Sequence, residues 1–383
     1  MTVQPKQFSR IVVVPSESMA AYESAGYGDR VWNRYNAGGL FRDVVVASPL
    51  EKGSRNDYGV TIRGVDGDGF QRLLRDWRPD VVRGFGGYWA ADFVCRYTGF
   101  DIPVVVSVHD PSPKLIHPSV TYADMVMCTS SRVEKAVIEM GCDPGRVRIV
   151  PNYIDKNVFR PVTHSAAIQR VSAQFPPGRY ILHIGRKAEE KNLDTVIRAL
   201  TFLPENYRCV FVGKGKSERY RELACEMGVD SRCYWIEAVP NSELPAWYSW
   251  CDCLCVPSRW EGFGIVFIEA AACGTPIVTS DIAPMNEYLR NGESACLVKD
   301  YESPQALATA VQEVSEDLPC RQILSSGAQQ VALRFGRDVV QHLEAAFYKE
   351  LLESFTHSLK WRWRRRLWSM KIAITDRVGA VRL

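Results

Sequence analysis

Residues 253–280, CLCVPSRWEGFGIVFIEAAACGTPIVTS, constrain this chain more than any other stretch. A short apolar run, Cys253 to Val256, passes through Pro-Ser-Arg-Trp into Glu261-Gly262-Phe263-Gly264, and the residues after Gly264 read as a buried helix. The order is strand, glycine loop, helix. Two glycines let the backbone approach a ligand, and the first turn of the helix presents N–H groups at the positive end of its dipole. Such a loop suits an anion or a cluster of sugar hydroxyls. Glu261 lies in the loop, and Glu269 lies about one and a half turns into the helix, within reach of the same rim. A carboxylate binds a diol by two hydrogen bonds and repels a phosphate. Phosphate on the loop amides and hydroxyls on the carboxylates together describe a nucleotide-sugar.

The rest of the chain alternates short β-branched runs with helical segments, the pattern of a parallel, doubly wound sheet. In the first half the runs are RIVVVP (10–15), VVVAS (44–48), VVRG (81–84), PVVVSV (103–108) and ADMVMCTS (123–130), with a helix from Arg132 to Gly141. His109 and Asp110 end the fourth run, at the strand terminus where open α/β sheets place their ligands. Asp66-Gly67-Asp68 precedes a helix and reads as its cap. Residues 156–178, rich in Pro, Ser, Thr and Gln, read as a linker. The second half repeats the rhythm with strands YILHIG (180–185), VFVGKG (210–215) and CYWIEAV (233–239), and helices at 241–252, 303–316 and 335–355. Arg186 and Lys191, in GRKAEEKN, lie around a turn where both cations can converge on one pyrophosphate, Arg as a planar fork and Lys as a movable point charge.

EGFGIVFIEAAACGTPIVTSD closely resembles the E-x7-E signature of the retaining GT-B glycosyltransferases of family 4, the group 1 glycosyl transferases, and GRxxxxKN resembles their pyrophosphate-binding motif. SVHD (107–110) resembles the family's TVHD or TLHD, and VRIVPNYID (147–155) its VIPNGVD. The resemblance implies an α/β chain of GT-B architecture: two Rossmann-like domains of doubly wound parallel sheets facing a cleft, with a C-terminal helix crossing back to the first. On that plan residues 1–160 are an N-terminal acceptor-side domain, 161–178 a linker, 179–334 the nucleotide-sugar-binding domain, 335–355 the crossover helix and 356–383 a tail.

It further implies that Arg186 and Lys191 neutralise the leaving pyrophosphate and that Glu261, with the amides of Gly262, Phe263, Gly264 and Ile265, orients the donor sugar. Glu269 would hold the ribose hydroxyls, His109 would contact the sugar, Gly26 would close over the pyrophosphate, and the backbone near Ala238 and Val239 would meet the base. The chain departs from the pattern where Tyr27 breaks the first glycine pair, where Tyr153 replaces a glycine, and at Ile282-Ala283-Pro284-Met285-Asn286-Glu287, which keeps the Glu and lacks two glycines.

The function implied is transfer, with retention, of a hexose-type sugar from a UDP- or GDP-sugar to a saccharide or lipid-linked acceptor in envelope synthesis, with no cofactor and no metal. A GT-B sugar-nucleotide epimerase and a catalytically silent nucleotide-sugar-binding tether are the alternatives. No apolar run approaches eighteen residues and the amino terminus has no signal-peptide core, so a cytoplasmic location is expected. Twelve cysteines without paired zinc spacings read as reduced core residues. Residues 356–383 hold eight basic side chains against one acidic, so the net charge of +3 belongs to the tail rather than the body. With Trp361, Trp363 and Trp368 among the arginines, the tail suits an anionic membrane surface on the inner face, and no nucleic-acid partner is expected.

Overall fold

In a computed structural model of the chain, the described residues are 8–24, 34–99, 101–163, 166–355 and 367. Gly26 and the basic tail, apart from Leu367, lie outside them. The chain forms two compact units, one holding the residues up to Pro151 together with those from Gln341 on, the other Asn152–Val340.

The first unit is built on eight strands: β1 (Phe8–Val14), β2 (Phe41–Ser48), β3 (Ser54–Asp57), β4 (Val60–Gly64), β5 (Val81–Phe85), β6 (Val104–Val108), β7 (Met125–Cys128) and β8 (Val147–Ile149). Their order is β3-β4-β2-β1-β5-β6-β7-β8, parallel throughout except where β3 meets β4. Strands covered on both faces must be apolar along their whole length, which is why β5, β6 and β7 are buried at every position. Asp66 caps the helix Gly67–Trp77 by accepting from Gly69 N at 2.7 Å.

One buried charge interrupts these strands. Arg83 of β5 meets Glu344 of the last helix, Arg337–Ser354, and also bonds Tyr348 Oη at 3.0 Å and Ser107 Oγ at 2.8 Å. Both partners of the ion pair are 5% exposed. The terminal helix is thus joined to the first unit through a polar network in which each charge compensates the other.

The second unit has six strands, β9 (Arg179–Ile184), β10 (Tyr207–Val212), β11 (Cys233–Ile236), β12 (Cys253–Val256), β13 (Ile277–Ser280) and β14 (Cys296–Val298). The order is β11-β10-β9-β12-β13-β14, all parallel. Side chains alternate across β12: Leu254 and Val256 enter one core with Phe267 of the helix Ile265–Ala272, while Cys253 and Cys255 enter the other with Phe211. All twelve cysteines are free and nine are buried. Burial pushes thiol pKa values up, that of Cys253 to about 12, so they act as small core residues.

Three expectations need correction. The strand expected over 233–239 ends at Ile236, because Glu237 and Ala238 turn out to solvent. The linker segment contains a helix, Ala166–Ser172, which buries Val171. A long helix, Leu318–Leu333, stands where none was anticipated, started by Asp317, whose carboxylate accepts from Cys320 N at 3.0 Å. Among the described residues no helix is long and apolar enough to cross a membrane.

Candidate functional site

The strand order of the second unit reverses direction between β9 and β12, and ligands of open α/β sheets bind beyond the carboxyl ends of strands at such a point. The loops leaving these two strands, 185–192 and 257–264, hold Arg186, Lys191, Glu261 and the glycine turn.

The first loop is shaped by its neighbours. Gly213, just after β10, has φ +144°, and a Cβ there would stand 1.9 Å from Gly185 O. Only glycine lets the two backbones pass so closely. Lys187 turns inward and donates to Gly213 O and, at 3.2 Å, to Ile236 O, so one ammonium caps the ends of β10 and β11. Its burial lowers its pKa. Arg186 points out, 69% exposed, and pairs with Glu190 at 2.7 Å. Residues Glu189–Lys191 form a 3-10 turn, Asn192 follows in the left-handed region at φ 54°, and the α-helix begins at Leu193. Beneath the turn, His183 Nε2 lies 3.0 Å from Lys191 O, and burial pushes the pKa of this imidazole down to about 4.

The second loop lies against the first. Arg259 N donates to Glu190 O at 2.8 Å, and its guanidinium bonds Glu189 O at 2.7 Å, Asp194 at 3.0 Å and Glu302 at 2.9 Å. Across this seam Lys191 Nζ reaches Glu261 Oε1 at 2.5 Å, and Ser258 Oγ donates to the same oxygen at 2.8 Å. Both contacts fall on Oε1, and among the described residues nothing bonds Oε2. Gly264 adopts φ +79°, where a Cβ would come within 2.5 Å of Phe267. Phe263 is buried and stacked on Tyr288, whose hydroxyl donates to Phe263 O at 2.8 Å. Gly262 and Ile265 flank it, half-buried.

Glu269 sits deeper than its spacing from Glu261 suggests. The helix Ile265–Ala272 is buried nearly all round, so position 269 is only 2% exposed, and its Oε2 accepts from Tyr248 Oη at 3.0 Å. Ala238, exposed, and Val239, half-buried, follow β11. In the first unit, His109 directly follows β6, half-buried and stacked 6.3 Å from the Phe85 ring. Burial, with Arg34 and Arg83 nearby, pushes its pKa down to about 3, so the ring is neutral and suited to hydrogen bonding rather than to charge pairing. Asp110 accepts from Ser112 N at 2.8 Å and so shapes the turn after β6.

The structure thus gives Arg186 and Lys191 each its own carboxylate, Glu190 and Glu261. Sequence alone pointed to neither Glu190 nor Ser258 as a partner, and it passed over His183, Lys187, Asn192 and Tyr248. Of these only Ser258 carried a local signal, a polar residue directly after Pro257 at a strand end.

A family model described as Glycosyl transferases group 1 matches residues 165–331, and one described as Glycosyltransferase Family 4 matches residues 40–158. The D-inositol 3-phosphate glycosyltransferase of Acidothermus cellulolyticus is 30% identical over 331 residues, 77% of this chain and 72% of that one. Its counterpart from Thermobispora bispora is 30% identical over 248 residues, 61% of this chain and 58% of the relative, so the match spans little more than half of that protein's length. Among solved structures, Anabaena HepE in complex with UDP and glucose superposes with a TM-score of 0.73 at 18% identity, over 90% of this chain and 100% of the other. Two parallel α/β sheets, paired loops at a switch point and these matches lead to one conclusion: the chain belongs to the group 1 glycosyl transferases of family 4, with the GT-B fold.

Proposed function

We propose that the protein is a retaining, metal-independent glycosyltransferase that moves a hexose-type sugar from a UDP- or GDP-sugar to a saccharide or lipid-linked acceptor. The observation that carries this is the Lys191–Glu261 pair at the switch point, where both bonds to the carboxylate among the described residues fall on Oε1. In the reaction the bond from the anomeric carbon to the phosphate oxygen breaks and the acceptor hydroxyl forms its bond on the same face. The hydroxyl proton passes to the departing phosphate oxygen. Negative charge grows on the pyrophosphate as that bond lengthens, and Arg186 and Lys191 supply the compensating charge. Glu261 accepts a sugar hydroxyl, the amides from Gly262 to Ile265 line the same turn, and Glu269 takes the ribose from a nearly dry environment in which each hydrogen bond is strong.

The named relatives support sugar transfer to a phosphorylated cyclitol, and HepE supports a UDP-linked donor. By its composition the tail docks the enzyme on the inner face of a membrane where a polysaccharide or glycolipid is built; truncation after Ser354 should abolish sedimentation with anionic vesicles. Incubation with UDP-, GDP- and ADP-sugars, tracking nucleotide release and isotope exchange, tests the assignment. Transfer with retained anomeric configuration in the presence of EDTA is expected. Epimerised donor without transfer, or binding with no turnover of any donor, would replace it with the epimerase or the tether.

A further inference from the structure

The polar residues buried behind Lys191 and Glu261 have no part in the transfer chemistry as assigned, yet they are unusually well bonded. Ser258 is 0% exposed. Its N–H donates to Val256 O at 2.9 Å, its carbonyl accepts from Ser280 Oγ at 2.7 Å, and its hydroxyl donates to Glu261 Oε1. Ser280 is also 0% exposed. Every polar group of Ser258 is therefore committed, and its hydroxyl has one direction in which to point.

Asn192 is likewise 0% exposed and holds a left-handed backbone conformation that few residues other than glycine and asparagine tolerate. Its Nδ2 donates to Pro257 O at 3.0 Å and Tyr301 O at 3.1 Å, and its Oδ1 accepts from Thr195 Oγ1 at 2.7 Å. Asn192 comes directly after Lys191, and Pro257 precedes Ser258. The tie between the two loops thus stands one residue from the cation and one residue from the side chain that grips the carboxylate.

Glutamate and lysine have long side chains, and holding either in one geometry sacrifices rotamer freedom unless neighbours have fixed it beforehand. We infer that Ser258 and Asn192 are positioning residues: Ser258 occupies Glu261 Oε1 so that Oε2 faces the donor sugar, and Asn192 sets the register of the Lys191 loop against it. This rests on the proposed donor site, and it assigns roles to residues that themselves touch no substrate. For Ser258 it predicts a split that damage to the fold would not produce; for Asn192 it predicts weaker binding of both ligand classes with the urea unfolding midpoint unchanged. Ser258→Ala leaves Glu261 Oε1 held by Lys191 alone and so loosens the carboxylate that meets the sugar, while Lys191, which meets the pyrophosphate, keeps its partner. Asn192→Gly keeps the backbone conformation while cutting the tie, and frees the Lys191 loop.

The test is calorimetric titration of wild type and both variants with UDP and GDP, then with UDP-glucose and GDP-mannose, alongside urea unfolding midpoints. Loss of one hydrogen bond to a charged group should weaken sugar-nucleotide binding to Ser258→Ala by about tenfold or more, with affinity for the bare diphosphate unchanged within about twofold. Asn192→Gly should weaken both classes of ligand. If Ser258→Ala does not fold, Ser280→Ala should show the same split at smaller size. Equal losses for sugar-nucleotide and diphosphate in the serine variants, or no loss in either, would overturn the role of Ser258. Unchanged affinities in Asn192→Gly would overturn that of Asn192. Failure of the wild-type protein to bind any of the four probes would instead remove the donor site itself.

Discussion

Lys191 Nζ and Glu261 Oε1 stand 2.5 Å apart although 70 positions separate them in the chain. The lysine side chain is 13% exposed and the glutamate 8%, so each charge depends on the other for compensation. The pair joins the pyrophosphate-facing loop to the sugar-facing loop, and a donor entering there must take over part of this compensation.

Lys191→Ala should therefore destabilise the second unit as well as suppress turnover, since it strands a nearly buried carboxylate, at about 3 kcal/mol. Adding Glu261→Gln should restore most of the stability and none of the activity. Urea unfolding and donor turnover on the single and double variants check both halves; turnover restored along with stability would count against a catalytic part for the lysine.

Gly213→Ala should cost more than Gly264→Ala. The first would place a Cβ 1.9 Å from the Gly185 carbonyl, a main-chain collision, whereas the second meets the Phe267 ring at 2.5 Å, and a ring can move. Both also carry the left-handed penalty of about 1 kcal/mol. Unfolding midpoints should rank them in that order, and Gly264→Ala should in addition weaken binding of UDP-glucose or GDP-mannose by shifting the start of the helix Ile265–Ala272.

Low pH should destabilise the second unit through His183. Its folded pKa is about 4 against an ordinary 6.5, so the folded protein keeps the ring neutral while the unfolded chain takes up a proton. Stability is complete above about 6.5 and is lost as pH falls toward about 4, with a slope of at most about 1.4 kcal/mol per pH unit. His183→Gln, which keeps a donor for Lys191 O, should flatten that slope in urea titrations run between those limits. Equal slopes in the two proteins would assign the pH dependence to other groups.

Glu344→Ala should strand Arg83 inside the first unit and cost about 3–5 kcal/mol, because both side chains are 5% exposed. Replacing the pair with Arg83→Met and Glu344→Leu should recover most of the loss. Thermal unfolding of the two proteins measures this, and a Glu344→Ala protein as stable as wild type would show that water reaches the buried guanidinium.

Much of the fold was legible because parallel strands buried on both faces leave plain apolar runs, as at Ile11–Val14, Val104–Val106 and Cys253–Val256. The hairpin of β3 and β4 is not legible for the opposite reason: all four residues of Ser54–Asp57 are polar, so the sequence carries no apolar alternation although their exposure alternates. The helix Leu318–Leu333 was missed because only Leu324, Ala328 and Ala332 are buried along it, too thin a stripe to stand out. At the candidate site, Arg186, Lys191, Glu261 and Glu269 were legible as motif positions, whereas their partners Glu190, Ser258 and Tyr248 were not, since nothing local marks a serine that will meet a glutamate across a turn.

The sequence by itself determined most of the elements, their alternation and the ionisable residues at strand ends, because burial periodicity and glycine turns are properties of neighbours along the chain. Which acid faces which base was decided only when β9 and β12 came to lie side by side, although β10 and β11 separate them in sequence. That adjacency sets Lys191 on Glu261, while the packing of the helices before and after β12 sets Glu269 on Tyr248; both arise from tertiary packing, which no local stretch encodes.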